Sequence, residues 1–383
     1  MSHLQAKGPE MTTSTTQRRL PVTVVTGFLG AGKTTLMRHL LLNSGLRLAV
    51  IVNEFGEVGI DGALLRSCGF CPEDEAEDRL VELANGCLCC TVQDDFLPTM
   101  QTLLASADRL DGIVVETSGL ALPEPLVQAF SWPEIRTRTL VNGVVAMVDG
   151  EALALGSVVG DPAAIERQRT ADPSLDHFSD LEDLFDEQLE AADLVLVSRA
   201  DRLEPSQLAR VRERIGQATR PGTQVLPVEQ GRIAPELLLG LSRVDLGAGS
   251  GVQAGDVHHS DHDSDHHDHD HHDHSHVPMQ SVAIRLEGRF NRQRLEAILR
   301  DQIERQAILR LKGSLQQPGK VRPLQIQAVG PRLECWYEAH PQAGVRPAQP
   351  ATIELPVLEL VALGLQLDRA VLETALLASA QNS

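Results

Sequence analysis

Two observations predict an α/β fold with a doubly wound, mostly parallel sheet, followed by a small α+β domain. Up to about residue 230, short aliphatic runs alternate with helical patterns, the rhythm of a parallel sheet covered by helices on both faces. From about residue 278 a second pattern begins, one strand, one helix and then several strands. Between them lies a stretch of glycine, histidine and aspartate that cannot bury a core. The expected organisation is a disordered leader over 1–19, a first domain over 20–240, a linker over 241–277 and a second domain over 278–383.

The strand candidates of the first domain are PVTVVTG (21–27), LAVIVNE (48–54), GIVVETSG (112–119), GVVAMVDG (143–150), ADLVLVSRAD (192–201) and TQVLPVE (223–229). All are rich in Val, Leu and Ile with little polar alternation, as strands buried on both faces are. Helix candidates fall between them: KTTLMRHLLLNS (33–44), DDFLPTMQTLLASA (94–107), DLEDLFDEQLEAA (180–192) and PSQLARVRERIGQAT (205–219). In the second domain MQSVAIRLEGRF reads as a strand, NRQRLEAILRDQIERQ as a helix, and AILRLKGSL, RPLQIQAVG and RLECWYEA as strands. PVLELVALGLQLDRAVLETALLAS adds a strand and an amphipathic closing helix. Within this domain RLKG (310–313) reads as a surface turn, the alternative being a contact with acidic groups of the first domain or a client, and Cys335 beside Trp336 and Tyr337 reads as strand packing. The domain is expected to dock on the first domain or on a client.

Composition excludes several classes. The 383 residues carry a net charge of −19, only part of it from the histidine-rich tract, so nucleic acid is not an expected partner. No apolar run approaches the roughly 20 residues that span a bilayer, and the leader has no apolar signal segment, so a cytoplasmic location is expected. Six cysteines in such a chain point to metal or redox chemistry rather than a disulfide scaffold.

GFLGAGKT (27–34) matches G-x-x-x-x-G-K-[ST], after a strand and at the start of a helix, the context of a phosphate-binding P-loop. Gly27, Gly30, Ala31 and Gly32 let the backbone wrap phosphates, and the N–H groups through Thr34 and Thr35 point at the anion. Lys33 is expected to reach the β- and γ-phosphates and the Thr34 hydroxyl to ligate Mg²⁺. In GIVVETSG the strand-final Glu116 stands where a carboxylate holds Mg²⁺ or its water, and Gly119 allows backbone approach to the γ-phosphate. Lys33 and Glu116 are the catalytic candidates of this P-loop NTPase reading. VSRAD (197–201) ends a further strand where guanine-specific proteins place [NT]-K-x-D. Asp201 fits the guanine acceptor, and Arg199, replacing lysine, can stack on a base.

GCLCC (86–90) concentrates Cys87, Cys89 and Cys90 around a turn that Gly86 permits. Thiolates favour Zn²⁺, Co²⁺ or Cu⁺ over Mg²⁺. A closed structural zinc site takes four ligands in spaced pairs, and this segment offers three. Cys68 and Cys71 either complete the set or are independent thiols, and a redox pair at Cys89 and Cys90 is the alternative. The tract over 258–276 holds His258, His259, His262, His266, His267, His269, His271, His272, His274 and His276 among six aspartates. It reads as a loose accessory metal collector, or else as a solvated linker. His3, His39 and His177 are isolated and read as structural or solvated.

VTGFLGAGKTTL, VNEFGEVGIDG, VELANGCLCCTV, VVETSGLALPEPL and DLVLVSRAD together resemble the CobW family of P-loop metallochaperone GTPases, relatives of the GTPases that help insert nickel into urease and hydrogenase. WPEIRTR and QRTADPSLDH resemble most the branch associated with cobalamin biosynthesis. The resemblance implies Cys87, Cys89 and Cys90 as metal ligands, with Glu54 and Glu57 beside them, and Asp61 as a further Mg²⁺ residue. It implies slow GTP hydrolysis, Mg²⁺ with GTP as cofactor, Co²⁺ as cargo with Zn²⁺ as the alternative, and a client such as cobaltochelatase. It leaves room for a metal- or nucleotide-dependent dimer. The departure is SRAD in place of the lysine-containing base motif. A P-loop small-molecule kinase and a non-enzymatic metal buffer are the rivals from other classes. The kinase leaves GCLCC unexplained, and the buffer leaves the phosphate loop idle.

Overall fold

The computed structural model describes residues 19–52, 80–82, 96–171, 181–240, 279–318, 320, 322–337 and 355–380. The aliphatic runs become β1 (Leu20–Thr26), β2 (Leu48–Val52), β4 (Gly112–Glu116), β5 (Thr139–Asp149), β6 (Leu194–Ser198) and β7 (Gln224–Pro227). A further strand, β3 (Leu80–Glu82), has no counterpart in the sequence reading, because three residues carry too little periodicity to register. The order is β3-β2-β4-β1-β5-β6-β7, and every neighbouring pair is parallel.

Side chains along a strand alternate between faces, and the core divides accordingly. Val25, Val50, Val114, Val145, Met147 and Leu196 pack on one face with Leu36, Met37 and Leu40 of the helix α1 (Lys33–Asn43). Their neighbours Val24, Ile51 and Val115 meet Met100 and Leu103 of the helix Leu97–Ala105 on the other face. Ala146, Val195 and Val197 meet Leu184 and Leu189 of the helix Leu181–Ala191, and Val211 and Ile215 of the helix Pro205–Ala218. Helices at Glu124–Ala129, Pro133–Arg136, Gly150–Ala154, Pro162–Ala171 and Pro235–Leu239 were unassigned from sequence; most last little more than one turn. No helix among the described residues is long and apolar enough to cross a membrane.

The second sheet is antiparallel, β8 (Gln280–Glu287), β9 (Ile308–Gln316), β10 (Leu324–Val329), β11 (Arg332–Tyr337) and β12 (Val357–Gly364), in the order β11-β10-β9-β12-β8. The helices Arg292–Arg305 and Arg369–Leu377 cover one face through Leu295, Leu299, Leu372 and Leu376. Cys335 is half-buried in β11, and burial pushes its thiol up to about 12, so it stays protonated as the packing reading expects.

The surface-turn reading of RLKG is corrected. These residues lie within β9, and Arg310 is buried against the first sheet. Its guanidinium donates through Nε to the Leu237 carbonyl at 2.5 Å, through Nη1 to Asn142 at 2.8 Å and through Nη2 to Leu238 at 2.7 Å. Burial pushes the group down to about 9, Asp193 pulls the other way, and it remains cationic at neutral pH. Fully buried Asp193 ties the same joint. Its Oδ1 accepts from Arg220 at 2.6 Å, and its Oδ2 accepts from Arg332 at 2.7 Å and from the Val144 N–H at 2.9 Å. Gly330 passes so close that a Cβ there would lie 2.1 Å from the Asp193 carbonyl.

Replacing Arg310 by leucine keeps the apolar stem and takes the guanidinium from the Leu237 and Asn142 carbonyls, while the Leu238 carbonyl still accepts from Thr23 Oγ1 at 2.7 Å and Asn142 Nδ2 at 2.9 Å. Chemical denaturation is expected to register a loss of about 3 kcal/mol, since hydrogen bonds to a charged group are worth about 1.5–3 kcal/mol and orphaned buried acceptors add to the loss. Arg310→Lys, with one ammonium in place of a three-way fork, is expected to recover only part of it.

Candidate functional site

The strand order turns back on itself at β1. From β1 the chain moves outward to β2 and β3, returns through β4, and then builds β5, β6 and β7 on the far side. Loops leaving such a switch point diverge and open a crevice at the carboxyl ends of the strands. The register aligns those ends: Val25 sits beside Glu116, Val52 beside Glu116, Thr26 beside Ala146, and Asp149 beside Ser198.

The phosphate loop runs from β1 into α1. Gly27, Gly30 and Gly32 take φ of 130°, 80° and 104°, values that side-chain-bearing residues rarely adopt. At Gly27 space is also decisive, since a Cβ would fall 2.2 Å from the Met147 carbonyl oxygen. Gly32 caps α1 without a side-chain hydrogen bond, so the helix N-terminus is left to an anion. Lys33 is buried inside the loop, with Nζ donating to the Gly27 carbonyl at 2.8 Å and the Phe28 carbonyl at 3.3 Å, and 3.7 Å from Glu116 Oε1. Thr34 is half-buried and Thr35 exposed in the first turn, and Ala31 is buried beneath the loop.

Glu116 is buried at the end of β4. The next residue stitches β4 to β1: the Thr117 N–H donates to the Val25 carbonyl at 2.9 Å, and its hydroxyl to Thr26 Oγ1 at 3.0 Å. Gly119 lies on the phosphate loop, where a Cβ would come 2.7 Å from the Leu29 nitrogen. Buried Gln188 holds this segment by donating to the Gly119 and Ala121 carbonyls at 3.2 and 3.1 Å. The Ser118 hydroxyl is buried and has no hydrogen-bond partner among the described residues. Thr34, Glu116 and Ser118 thus bring to one edge the hard oxygen donors that suit Mg²⁺.

Arg199 and Asp201 follow β6. Arg199 takes φ 54°, and its guanidinium turns back to pair with Asp149, reaches within 3.6 Å of Glu151 Oε2, and donates to the Gly30 carbonyl at 3.3 Å. The sequence reading put this side chain against a base; the structure anchors its charged end and leaves the stem. Asp201 is exposed in the turn Ala200–Arg202. Asp149 was missed from sequence, although a carboxylate closing a buried strand just before Gly150 is the same signal that singled out Glu116.

The metal candidates Cys87, Cys89, Cys90, Glu54 and Glu57, the Mg²⁺ candidate Asp61, and Cys68, Cys71, His3, His177 and the tract over 258–276 lie outside the described residues. Among those described, no cluster of three or more His, Cys, Asp or Glu stands ready for a metal. His39 is held locally, its ring Nδ1 3.1 Å from Asn43 Nδ2, with burial pulling its pKa below the usual range.

Gly27→Ala tests the loop directly. The new methyl must displace the Met147 carbonyl, so binding of a fluorescent nucleotide is expected to fall by two orders of magnitude or more, while Gly30→Ala, with open space around its Cβ, is expected to lose less.

Residues 21–227 match the CobW/HypB/UreG nucleotide-binding domain, and residues 279–380 match the cobalamin synthesis protein CobW C-terminal domain. The zinc chaperone CobW of Pseudomonas aeruginosa is 44% identical over 363 residues, 94% of this chain and 92% of that protein. The zinc chaperone CobW of a Sinorhizobium species is 40% identical over 330 residues, 84% of this chain and 88% of that protein. The zinc chaperone YjiA of Escherichia coli is 40% identical over 136 residues, 34% of this chain and 40% of that protein. With the phosphate loop, the switch-point crevice and both domains matched, the chain belongs to the CobW family of nucleotide-binding proteins.

Proposed function

We propose that this chain is a zinc metallochaperone that binds and hydrolyses GTP to control capture and release of the metal at Cys87, Cys89 and Cys90. One observation carries the reading. β2 ends at Val52 and β3 at Glu82, both at the sheet edge that bears Glu116. The chain leaves β2 directly into NEFGEVGID and leaves β3 shortly before GCLCC. Both segments with metal candidates are therefore rooted at the edge where a γ-phosphate would be sensed.

The chemistry follows from the residues of that edge. The backbone N–H groups at the start of α1 and the Lys33 ammonium neutralise the β- and γ-phosphates. Thr34 and Glu116 would hold Mg²⁺, with Asp61 as a further candidate, and the ion would supply neutralisation of phosphate charge. Glu116 also positions Lys33 from 3.7 Å. A water then displaces GDP from the γ-phosphorus, giving free phosphate. Loss of the γ-phosphate frees the segments after β2 and β3, and metal affinity drops. By reciprocity the metal tightens GTP binding by the same factor.

Zinc is the proposed cargo because thiolates suit it and because the relatives named above are zinc chaperones. The cobalt expected from the cobalamin branch finds no support in those names. The recipient is a client protein that takes the ion after hydrolysis.

Zinc affinity, measured by chelator competition with a non-hydrolysable GTP analogue, with GDP and with no nucleotide, is expected to be about tenfold tighter with the analogue, a coupling of about 1.4 kcal/mol. Equal affinities in all three states would sink the switch. The Cys89→Ala/Cys90→Ala variant is expected to lose the nucleotide-sensitive site yet release phosphate from GTP, whereas Lys33→Ala loses hydrolysis. Deleting 258–276 is expected to lower zinc stoichiometry and leave GTP turnover in place.

A further inference from the structure

The base-side rim of the crevice is held by one carboxylate with two duties. Asp149 closes β5 and is 5% exposed. Its Oδ1 accepts the backbone N–H groups of Glu151 at 3.1 Å and Ala152 at 3.2 Å, capping the helix Gly150–Ala154. Its Oδ2 pairs with Arg199 Nη1. The cap fixes the carboxylate's orientation, and the carboxylate in turn fixes the guanidinium. Arg199 arrives from a left-handed backbone and bridges onward to the Gly30 carbonyl. The pair therefore joins the ends of β5 and β6 to the crown of the phosphate loop. Space behind Asp149 is also restricted, since a Cβ on Gly160 would stand 2.7 Å from Oδ2 and 4.0 Å from Arg199 Nη1.

We propose that Asp149 is a positioning residue for the nucleotide site: it holds Arg199 in the bridge between the turn after β6 and the phosphate loop, and so sets both nucleotide affinity and preference for guanine. The proposal rests on reading this crevice as a GTP site. With its N–H groups directed at Asp149, Glu151 and Gly30, Arg199 offers a base its stem rather than its donors. Exposed Asp201, two residues on, is then left as the acceptor for the N1–H and amino group of guanine. Adenine has no donor at N1 and no amino group at C2. The orientation of the turn after β6 therefore decides whether that discrimination operates, and the Asp149–Arg199 pair fixes that orientation.

A double-mutant cycle read by titration of fluorescent GDP and ADP analogues tests this. Asp149→Asn keeps an oxygen for the helix cap and loses the charge; it is expected to weaken GDP about tenfold, to weaken ADP less, and to add nothing in an Arg199→Ala background. Gly160→Ala, at an exposed glycine with ordinary backbone angles, pushes Oδ2 off Arg199 and is expected to reproduce the effect in a chain whose unfolding transition is unchanged. Arg199→Lys is expected to retain most of the affinity when Asp149 is intact. The positioning role is overturned if Asp149→Asn has the same effect with and without Arg199, which would make it a helix cap alone, or if the GDP-to-ADP ratio does not move. A native chain that binds neither nucleotide overturns the GTP reading as well; a native chain that binds GDP but gives additive variants overturns the positioning role alone.

Discussion

Backbones meet around the phosphate loop more closely than a Cβ would permit. Gly27 lies against the Met147 carbonyl of β5, Gly119 against the Leu29 nitrogen, and Gly231 against Leu36 at the start of α1. Each approach requires a glycine, and the three come from distant parts of the chain. The loop and the first turn of α1 are thus closely approached by β5, by the segment after β4 and by the turn after β7. Lys33, Glu116 and Arg199 reach their partners because the loop they converge on is fixed by packing as well as by its own dihedral angles. Backbone amides preorganised in this way hold an anion without first having to be ordered.

β5 connects this packing to the other half of the molecule. At one end Asn142 receives Arg310 and Gln327, and the Val144 N–H donates to Asp193. At the other end Met147 supports Gly27, and Asp149 holds Arg199. A parallel strand of 11 residues spans about 36 Å at about 3.3 Å per residue. Because most of its side chains are buried, it cannot shift at one end without disturbing the packing at the other.

Much of this was legible in sequence, for physical reasons that differ between elements. GFLGAGKT could be read because its glycines are demanded by local dihedral angles, and local demands leave local marks. The central strands could be read because burial on both faces forces an unbroken aliphatic run, as in LVLVS of β6. β3 was invisible since three residues carry no period. Arg310 was misread because nothing near it in the chain shows that its partners are carbonyls 72 and 73 positions earlier, on the helix Pro235–Leu239, and 168 positions earlier, at Asn142 of β5. The same applies to Asp149 and Arg199, which are 50 positions apart and meet only because β5 and β6 are neighbours. The cysteine segment was legible as chemistry, and the fold adds only where its root lies.

The joint built by Arg310 and Asp193 also bears on how this chain can vary. The stretch that carries the histidines leaves the first sheet just after Leu239 and rejoins the fold at Met279, whose side chain packs on the same core cluster as Leu237, Leu238 and Leu309. Its two ends are thus secured to one body by contacts that owe nothing to the residues between them. For a flexible connection between two ends so anchored, the entropy of closure grows only as the logarithm of length, so a doubling costs about 0.6 kcal/mol. The length of chain between Leu239 and Met279 can therefore change with little consequence for the stability of the joint.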